Sequence, residues 1–534
     1  MAAGDGTLGT MLRRAGFGLL PLLFIAACSS STPEDPPGTT PPGEKPKPTA
    51  LPPLANAITT VEATLVPKTP RQSYTAGPNP SLGPEALASY LERGFGDLEP
   101  GPGEPYVTRA IDGSTPPAPG PNAKRLLRFT HLADLQIADD ESPTRVGSID
   151  AAGFTSSALR PQDPYLCHMA NAAVRTINAL HRKEPIAFTI MGGDNADSAQ
   201  TNEVDWVLAI LSGSPSVECD SGDDDDMVSG GDNDGKDPFV AEGLAMPWRW
   251  VTGNHDVLVQ GNVTPNEFNR TAVVEDSAGN GTRDYRPPYL GGVTTDTVVP
   301  DPKRALLSRV ELMTKVGGDK DGHGIGAAEK QSGRATYTFD PEGTNFRFLV
   351  LDTAHDTGGS DGVITQRDVD GTIKPFLDKA KADGKWVILS SHHATSSLTV
   401  DGGALGTKEP DALLPDAWAA FIGQYDNVLF SMVGHSHENR VRAIASQAPG
   451  HAWWEVMTAA IADFPHQFRL VEIYDQDNGW LMMRATAVDI SVEGDAIAAD
   501  GRKRGVIDRT SGWLPDDGTG KVDDRNVELW IKKP

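Results

Sequence analysis

Histidine, aspartate, asparagine and glutamine residues recur in short clusters, each of which follows an apolar run of the chain. Five clusters share this arrangement: His131–Gln136, Gly192–Asn195, Gly253–Asp256, Ser391–His393 and Gly434–His437. A single cluster of this kind is also typical of an ordinary turn, because Gly and Asn are turn residues. Each preceding run is typical of a buried strand, however, and five strand ends can converge at one edge of a sheet. Because carboxylates, amide oxygens and imidazoles all bind metal ions, the pattern predicts a metal site.

The order of the five clusters resembles the calcineurin-like metallophosphoesterase superfamily. The family pattern is Asp-x-His, Gly-Asp-x-x, Gly-Asn-His-(Asp/Glu), His-x and Gly-His-x-His, and the resemblance covers about Leu126 to His437. It implies an α/β sandwich of two mixed β-sheets flanked by helices, with a dinuclear metal site at the strand ends. It also implies hydrolysis of a phosphodiester, a phosphomonoester or a nucleotide pyrophosphate by a hydroxide that bridges the two metal ions.

The alternation of strand and helix patterns independently favours an α/β sandwich. In chain order, the patterns are a strand at Leu126–Phe129, a helix at Pro164–His181, a strand at Ile186–Met191 and a helix at Asn202–Leu211. Beyond residue 441, further strand patterns occur at 453–457, 468–474 and 480–488. These C-terminal strands are expected to complete the second sheet.

The resemblance assigns seven residues to two divalent metal ions. One ion takes Asp134, Gln136, Asp194 and His437. The other takes Asp194, Asn254, His392 and His435. Two ions about 3.5–4 Å apart lower the pKa of a bridging water and hold the phosphoryl oxygens of the substrate.

Gln136 departs from the superfamily pattern, since most members have His at this position. In having Gln at this position, the sequence resembles the manganese-dependent ADP-ribose/CDP-alcohol diphosphatase branch of the superfamily. Because oxygen donors suit harder ions, the pattern favours Mn²⁺ and leaves iron, Zn²⁺ and Mg²⁺ open. The blocks Asp140–Arg145 and Asp524–Leu529 resemble a bacterial secreted lipoprotein branch of the superfamily.

His255 and Asp256 follow the ligand Asn254, and the resemblance gives them a part in the chemistry rather than in metal binding. His255 is expected to stabilise the developing negative charge or to protonate the leaving oxygen. Asp256 is expected to orient His255 and to raise the pKa of its imidazole. The alternative is a structural His255 that only hydrogen-bonds the loop.

Three further residues are expected to support the ligands or to face the substrate. The His-x step aligns His392 as the ligand and leaves His393 in a supporting place, although either histidine fits the pattern. Asn195 follows the bridging Asp194 and is expected to support it. Arg145 is a candidate phosphate clamp, with a surface salt bridge as the alternative.

The N-terminus is typical of an exported lipoprotein. Arg13 and Arg14 precede an apolar stretch, Phe17–Ala27, that is short for a membrane span and is followed by Cys28. Residues 1–28 are therefore predicted to be a lipoprotein signal with Cys28 as the lipidated residue, which would anchor the protein to the cell envelope in the periplasm or at the outer membrane. A cleaved signal peptide with an incidental Cys28 is the alternative.

The remaining chain divides by composition. Residues 29–70 are rich in Pro, Thr, Gly and Ser and are predicted to be a disordered tether. Residues 71–123 are an N-terminal arm, and residues 124–534 are the catalytic domain, which includes the C-terminal strands of 441–534. The domain also carries an acidic insertion at 218–237, which is either a solvated loop or a calcium site.

The net charge limits the classes of partner that the protein can bind, and the cysteine count limits the disulfides that it can form. The net charge of −26, with 73 acidic residues, excludes duplex nucleic acid as a partner. The expected partners are a small phosphorylated substrate and, through the lipid anchor, a membrane. With Cys28 lipidated, Cys167 and Cys219 remain, and they either pair or stay free. A non-catalytic, surface-exposed, metal-binding lipoprotein that reuses the fold is the alternative function.

Overall fold

The computed structural model describes residues 48–72, 87–150, 155–223, 234–281, 293–447, 449–513 and 519–534. The predictions for the signal peptide, for Cys28, for residues 29–47 of the tether and for residues 224–233, half of the acidic insertion, lie outside these residues. Within them, no helix is long and apolar enough to cross a bilayer.

The described strands are β1 (Ala63–Pro67), β2 (Leu98–Pro102), β3 (Val107–Ala110), β4 (Lys124–Leu132), β5 (Thr189–Met191), β6 (Trp248–Arg249), β7 (Ser277–Gly281), β8 (Val293–Thr297), β9 (Tyr337–Phe339), β10 (Phe346–Leu351), β11 (Trp386–Ser391), β12 (Val428–Val433), β13 (Arg440–Ile444), β14 (Trp453–Met457), β15 (Gln467–Asp475), β16 (Trp480–Asp489) and β17 (Val527–Lys532). The described α-helices are α1 (Leu87–Glu92), α2 (Leu166–Lys183), α3 (Thr201–Ser212), α4 (Glu267–Ala272), α5 (Arg309–Val316), α6 (Ala327–Ser332), α7 (Gln366–Asp368), α8 (Lys374–Ala382), α9 (Pro415–Ile422) and α10 (Ala496–Thr510).

Two large mixed sheets form the body of the protein, as the sequence predicted. One has seven strands in the order β3-β17-β16-β15-β4-β5-β6, and the other has six in the order β13-β14-β12-β11-β10-β9. Strands β4, β5 and β6 are mutually parallel, and so are β10, β11, β12 and β14. Parallel neighbours end at the same edge of a sheet, so the polar residues that follow β4, β5, β6, β11 and β12 are collected at strand ends.

Aromatic and aliphatic side chains from both sheets fill the space between them. The ring of Phe129 in β4 lies 5.4 Å from that of Phe348 in β10 and 5.2 Å from that of Phe188. On the other face of the six-stranded sheet, a second apolar cluster packs Leu377 of α8 and Trp418 of α9 against it. Helix α2 is buried along most of its length and contacts α3 and α10. The fold class is therefore α/β, with two mixed sheets flanked by helices.

The C-terminal strands divide between the two sheets rather than completing one. Strand β14 pairs with β12 in the six-stranded sheet, whereas β15 pairs with β4 and β16 pairs with β15 in the seven-stranded sheet. Consecutive residues of β4 and β15, which point to opposite faces of the sheet, are buried over most of both strands, which explains why both read as apolar runs.

The predicted tether over 29–70 is too long at its C-terminal end. Leu54 and Ala57 are buried in the main core, and β1 pairs with β2. Arg182 and Lys183 at the end of α2 donate hydrogen bonds to the carbonyl oxygens of Leu54 and Ala57. Prolines dominate this segment, and their abundance masked a few apolar residues that pack on the domain.

Cys167 in α2 and Cys219 form a disulfide, with 6.6 Å between their Cα atoms. Of the two alternatives for these cysteines, pairing is the one found. Cys219 lies at the start of the acidic insertion, so the disulfide fixes the base of that insertion to α2.

Candidate metal centre

The backbone at the strand ends takes an unusual conformation. Ten non-glycine residues of the described chain have positive φ, and half of them are predicted ligands: Asp134, Gln136, Asp194, His435 and His437. Such left-handed residues are uncommon and cost free energy, and they cluster at functional sites. Each of the five lies in a loop just beyond a strand. There the turn can bring two residues separated by one position, such as Asp134 and Gln136, to the same side of the loop.

Carboxylate and imidazole groups from four loops meet at this point. The Oδ2 atom of Asp194 lies 3.0 Å from Nε2 of His392, and Oδ1 of Asp134 lies 3.4 Å from Nε2 of His437. One ligand atom each from Asp134, Asp194 and His392 fall within 4.8 Å of one another. All of these side chains are buried except that of His437, which is 16% exposed. The cluster therefore has the size and composition that a metal ion requires.

Two amide oxygens provide a direct test of whether this donor set fits a cation. Oε1 of Gln136 and Oδ1 of Asn254 are buried and accept no hydrogen bond from the described residues. The amide nitrogen of Asn254 is fixed by a 2.9 Å bond to the carbonyl oxygen of Gly261, so its oxygen is the end of the amide that a cation can bind. A buried acceptor without a partner costs free energy, and a cation supplies the missing interaction. The donors present therefore fit a divalent metal ion.

Hydrogen bonds fix the ring of each histidine that has Nε2 in the cluster. Nδ1 of His392 donates to the carbonyl oxygen of Gly192 at 2.8 Å, and Nδ1 of His437 contacts Oδ2 of Asp463 at 2.6 Å. Such bonds set the tautomer that presents Nε2 to a metal and raise the basicity of the ligand. The sequence analysis missed Asp463, because no motif marks it.

The same contacts shift the pKa values of these rings in the metal-free protein. Although burial opposes the charged form, the carboxylates of Asp194 and Asp134 raise the pKa of His392 to about 9. Burial is likewise outweighed at His437, where Asp134 and Asp463 raise the pKa to about 10. Burial and the nearby imidazoles lower the pKa of His435 well below its usual range. The ring of His435 is thus neutral at neutral pH, whereas His392 and His437 carry protons that a metal bound at these rings would displace.

His393 lies beside the cluster, but both of its ring nitrogens have partners. Nδ1 lies 2.8 Å from the Thr353 hydroxyl, and Nε2 lies 2.9 Å from the carbonyl oxygen of Ser360. Its ring is also close to those of His392 and His435. Although the nitrogens of these three histidines are near enough to share an ion, the two bonds of His393 leave it no lone pair to donate. This geometry favours His392 as the ligand and gives His393 a supporting place.

His255 is oriented by Asp197, not by its neighbour Asp256. Nδ1 of His255 donates to the backbone carbonyl oxygen of Asp197 at 2.7 Å, and Oδ1 of Asp197 lies 3.4 Å from the same nitrogen. The backbone N–H of His255 donates to Oδ1 of Asp194 at 2.8 Å. Although burial opposes the charged form, Asp194 and Asp197 raise the pKa of His255.

The predicted role of Asp256 in orienting His255 is wrong, because its carboxylate points into the loop. It accepts hydrogen bonds from the backbone N–H groups of Asn195, Ala196 and Gly253, at 2.9, 3.1 and 2.8 Å. The Asn195 side chain adds a bond to Asp256 at 3.2 Å. Burial and the neighbouring Asp194 raise the pKa of Asp256 to about 7. Asp256 and Asn195 thus join the second and third clusters and shape the loops that carry Asp194 and Asn254.

Arg145 forms salt bridges, as the alternative predicted, but they are buried and not at the surface. Its terminal nitrogens are committed to carboxylates, which disfavours the predicted phosphate clamp. Its side chain is 4% exposed, and its terminal nitrogens contact the carboxylates of Asp163 and Asp197. The nearby Arg160 contacts Asp197 and Asp463. The sequence analysis missed Arg160 because the segment between β4 and α2 carries no motif around it.

No protein-family model matches the sequence, and no curated protein matches it. Solved structures to which the chain is similar include a purple acid phosphatase from yellow lupin (Lupinus luteus) seeds, at 12% identity and a TM-score of 0.30, over 73% of this chain and 55% of that one. Another is the sulfate thiohydrolase SoxB of Thermus thermophilus, at 12% identity and a TM-score of 0.29, over 73% and 60%. A third is GAP50, the anchor in the inner membrane complex of Plasmodium, at 12% identity and a TM-score of 0.26, over 77% and 98%. The chain spans only a little over half the length of the first two, and none of the three assigns a ligand or an activity to it.

Proposed function

We propose that the protein is a metal-dependent hydrolase of phosphate esters, of the calcineurin-like metallophosphoesterase type. The observation that carries the proposal is the meeting of the five clusters at strand ends, with the oxygens of Gln136 and Asn254 buried and without a hydrogen-bond donor. A structural turn has no need of such atoms, whereas a dinuclear metal site does. Two divalent ions, when bound, neutralise the charge of a phosphate ester and lower the pKa of a water.

The residues present divide naturally into two ligand sets that share Asp194. In the first set, Oδ1 of Asp134 lies 3.4 Å from Nε2 of His437. Gln136 lies in the same loop as Asp134. In the second set, Nε2 of His392 lies 3.0 Å from Oδ2 of Asp194. Asn254 and His435 complete this second set. The backbone N–H of His435 also donates to the Asp134 carboxylate at 3.1 Å, which fixes the carboxylate between the two loops.

His255 is proposed to hold the proton for the leaving oxygen. Its Nδ1 is committed to the Asp197 carbonyl, so only Nε2 is available to a substrate. The side chain is 15% exposed, which makes it reachable from solvent, while Asp197 beneath it is fully buried. The raised pKa of His255 favours the protonated ring near neutral pH, as a general acid requires.

Metal identity and location extend the proposal. The amide oxygen of Gln136 favours Mn²⁺ over Zn²⁺ at the Asp134 set, and iron and Mg²⁺ are the other candidates. The Cys167–Cys219 disulfide supports export to an oxidising compartment. The proposed lipid anchor at Cys28, with attachment to the cell envelope, fits such a location.

The experiment that tests the function is an activity screen of the purified protein with Mn²⁺, Mg²⁺, Zn²⁺ or iron added. The substrates are phosphomonoesters, phosphodiesters and nucleotide pyrophosphates. Asp194→Asn is expected to remove the activity, because it weakens both ligand sets. Asp205→Asn, which changes an exposed aspartate paired with Lys315, is the matched control and is expected to retain it. Equal rates in the wild type and in Asp194→Asn for every substrate and metal would contradict the proposal.

A further inference from the structure

Two arginines and three aspartates form a buried ionic cluster beside the metal centre. Its members are Arg145, Arg160, Asp163, Asp197 and Asp463, and their side chains are between 0% and 10% exposed. Both arginines and Asp163 come from the segment between β4 and α2. Asp197 follows β5, and Asp463 precedes β15. Three distant parts of the chain therefore meet here.

Each of two aspartates in this ionic cluster orients one histidine of the site. Asp463 contacts Nδ1 of the ligand His437 at 2.6 Å through Oδ2. Asp197 lies at Nδ1 of His255, at 2.7 Å through its carbonyl oxygen and 3.4 Å through Oδ1. Asp463 therefore acts on the proposed metal ligand through its carboxylate, and Asp197 acts on the proposed proton donor mainly through its backbone carbonyl oxygen.

Arg160 is the residue that touches both carboxylates. Its Nε donates to Oδ1 of Asp463 at 3.0 Å, and its Nη1 lies 3.6 Å from Oδ1 of Asp197. Gln162 adds a bond to the same Asp463 oxygen, at 3.1 Å. The oxygen of Asp463 that faces Arg160 is thus distinct from the oxygen that faces His437, so the carboxylate is held from both ends.

Burial makes this contact consequential. A carboxylate removed from water is costly unless a cation and hydrogen bonds compensate it. The guanidinium group is planar, stays charged and presents several donors in a rigid fork, so one arginine can hold two carboxylates at a fixed separation. A lysine has the charge but not the fork.

We propose that Arg160 is a positioning residue that ties the orientation of the metal ligand His437 to that of the proton donor His255. This inference deepens the proposed function and rests on it for the role of His255. Arg160 acts through Asp463 on one side and through Asp197 on the other, and its side chain is only 2% exposed. Removing it takes one buried cation from each carboxylate and leaves Gln162 at Oδ1 of Asp463 and Arg145 at Oδ2 of Asp197.

Arg145 provides a contrast within the same ionic cluster. Its Nη1 lies 3.0 Å from Oδ2 of Asp197, and its Nη2 contacts Asp163. The salt bridge to Asp463 is made by Arg160 instead. A change at Arg145 should therefore disturb the His255 side alone. A change at Arg160 should disturb both sides.

The experiment compares Arg160→Gln, Arg160→Lys and Arg145→Gln in the full-length protein. Metal affinity is measured by calorimetric titration with Mn²⁺, turnover is measured as kcat and KM, and folding is checked by the thermal midpoint. For Arg160→Gln we expect kcat and the affinity for the ion of the Asp134 set, to which His437 belongs, each to fall roughly 10–100-fold. This is the usual effect of losing a group that orients a ligand. Arg160→Lys should fall between the wild type and Arg160→Gln. Arg145→Gln should lower kcat and leave metal affinity within about twofold of the wild type.

Arg175→Gln is the matched control, since Arg175 is equally buried but bonds the carbonyl oxygens of Glu493 and Pro52 in a different part of the protein. It should keep the wild-type metal affinity and kcat. If Arg160→Gln does not fold, Arg160→Lys carries the test with the same criterion of lowered affinity and kcat. Unchanged affinity in a folded Arg160 variant, or an equal loss in Arg145→Gln, overturns the proposal.

A readout independent of activity separates this inference from the proposed function. The Nδ1–H protons of His437 and His255 can be followed by NMR in the metal-free protein. Both resonances should shift in Arg160→Gln, and only that of His255 should shift in Arg145→Gln. If the wild type hydrolyses no phosphate ester, the proposed function fails, while the metal titration and these resonances still decide whether Arg160 ties the two histidines together.

Discussion

Metal binding to this protein should release protons, and the number can be worked out from the structure. In the metal-free protein the pKa of His392 is about 9 and that of His437 is about 10, because the carboxylates around them outweigh the effect of burial. A metal takes the Nε2 lone pair, so each ring must lose one proton on ligation. His435, whose pKa is lowered, contributes none. At pH 7, filling both ligand sets should therefore release about two protons.

The energetic consequence is large enough to measure. One pKa unit corresponds to about 1.4 kcal/mol, so at pH 7 the proton on His392 costs metal binding about 3 kcal/mol and that on His437 about 4 kcal/mol. The summed logarithm of the two affinities should rise by about two per pH unit between pH 7 and 9 and by about one between pH 9 and 10. The folding stability of the metal-free protein has the opposite pH dependence. There the raised histidine pKa values stabilise the fold fully below the unfolded value of about 6.5, and this contribution is lost as pH rises through 9 and 10.

The assay is calorimetric titration with Mn²⁺ at pH 7 in buffers that differ in ionisation enthalpy, which counts the protons released. His437→Gln is the internal control and should release about one proton fewer. A count near zero in the wild type at pH 7, together with a pH-independent affinity, would refute the reasoning. Such a result would mean that His392 and His437 are not ligands or that their neighbouring carboxylates do not hold them protonated.

Four further predictions concern single residues. Gln136→Ala should lower occupancy of the ion held by the Asp134 set, and Gln136→His should shift preference from Mn²⁺ toward Zn²⁺, both measured by metal analysis. His255→Asn should keep the metal content and lower kcat by roughly 10²–10⁴, whereas unchanged turnover would exclude it as the proton donor. Gly253→Ala places a Cβ 2.0 Å from Oδ1 of Asp194 and should lower turnover by roughly 10²-fold, whereas Gly371→Ala, with nothing within 4 Å, should have no effect. Cys28→Ser should release the protein from membranes, and mass analysis showing an unmodified Cys28 in the mature wild type would contradict lipidation.

The strand-end residues were predictable from the sequence because two local signals coincide there. An apolar run of about six residues, such as Val428–Val433, announces a buried strand, and the polar residues after it mark where the strand ends. Since the parallel strands β4 and β5 end at the same edge of one sheet, the approach of Asp134 to Asp194 follows without knowledge of how the loops bend. His392 follows β11 in the other sheet, so its approach to them depends on how the two sheets pack, which no local pattern gives. The positive φ of the ligand residues was not predictable, because any residue type except a β-branched one tolerates it at some cost.

Residues that act through long-range contacts were not predictable. Arg160 and Asp463 are 303 positions apart and belong to segments without periodicity or motif. The packing of Leu54 and Ala57 was hidden in the same way, since neighbouring prolines and threonines give the segment the composition of a linker. In each case the energy comes from a tertiary partner that a local window of sequence does not contain.

The orientation of His255 shows where adjacency in the sequence misleads. Asp256 is next to His255, and a carboxylate beside a histidine suggests a pair. In the turn after β6, however, consecutive side chains point apart, so Asp256 turns inward to the N–H groups of Gly253, Asn195 and Ala196. The space at Nδ1 of His255 is taken instead by Asp197, three residues after Asp194 in the loop of the neighbouring parallel strand. The loop that carries Asp194, the proposed shared ligand, thus also carries the group that orients His255, the proposed proton donor. A displacement of that single loop should therefore disturb metal binding and proton transfer together.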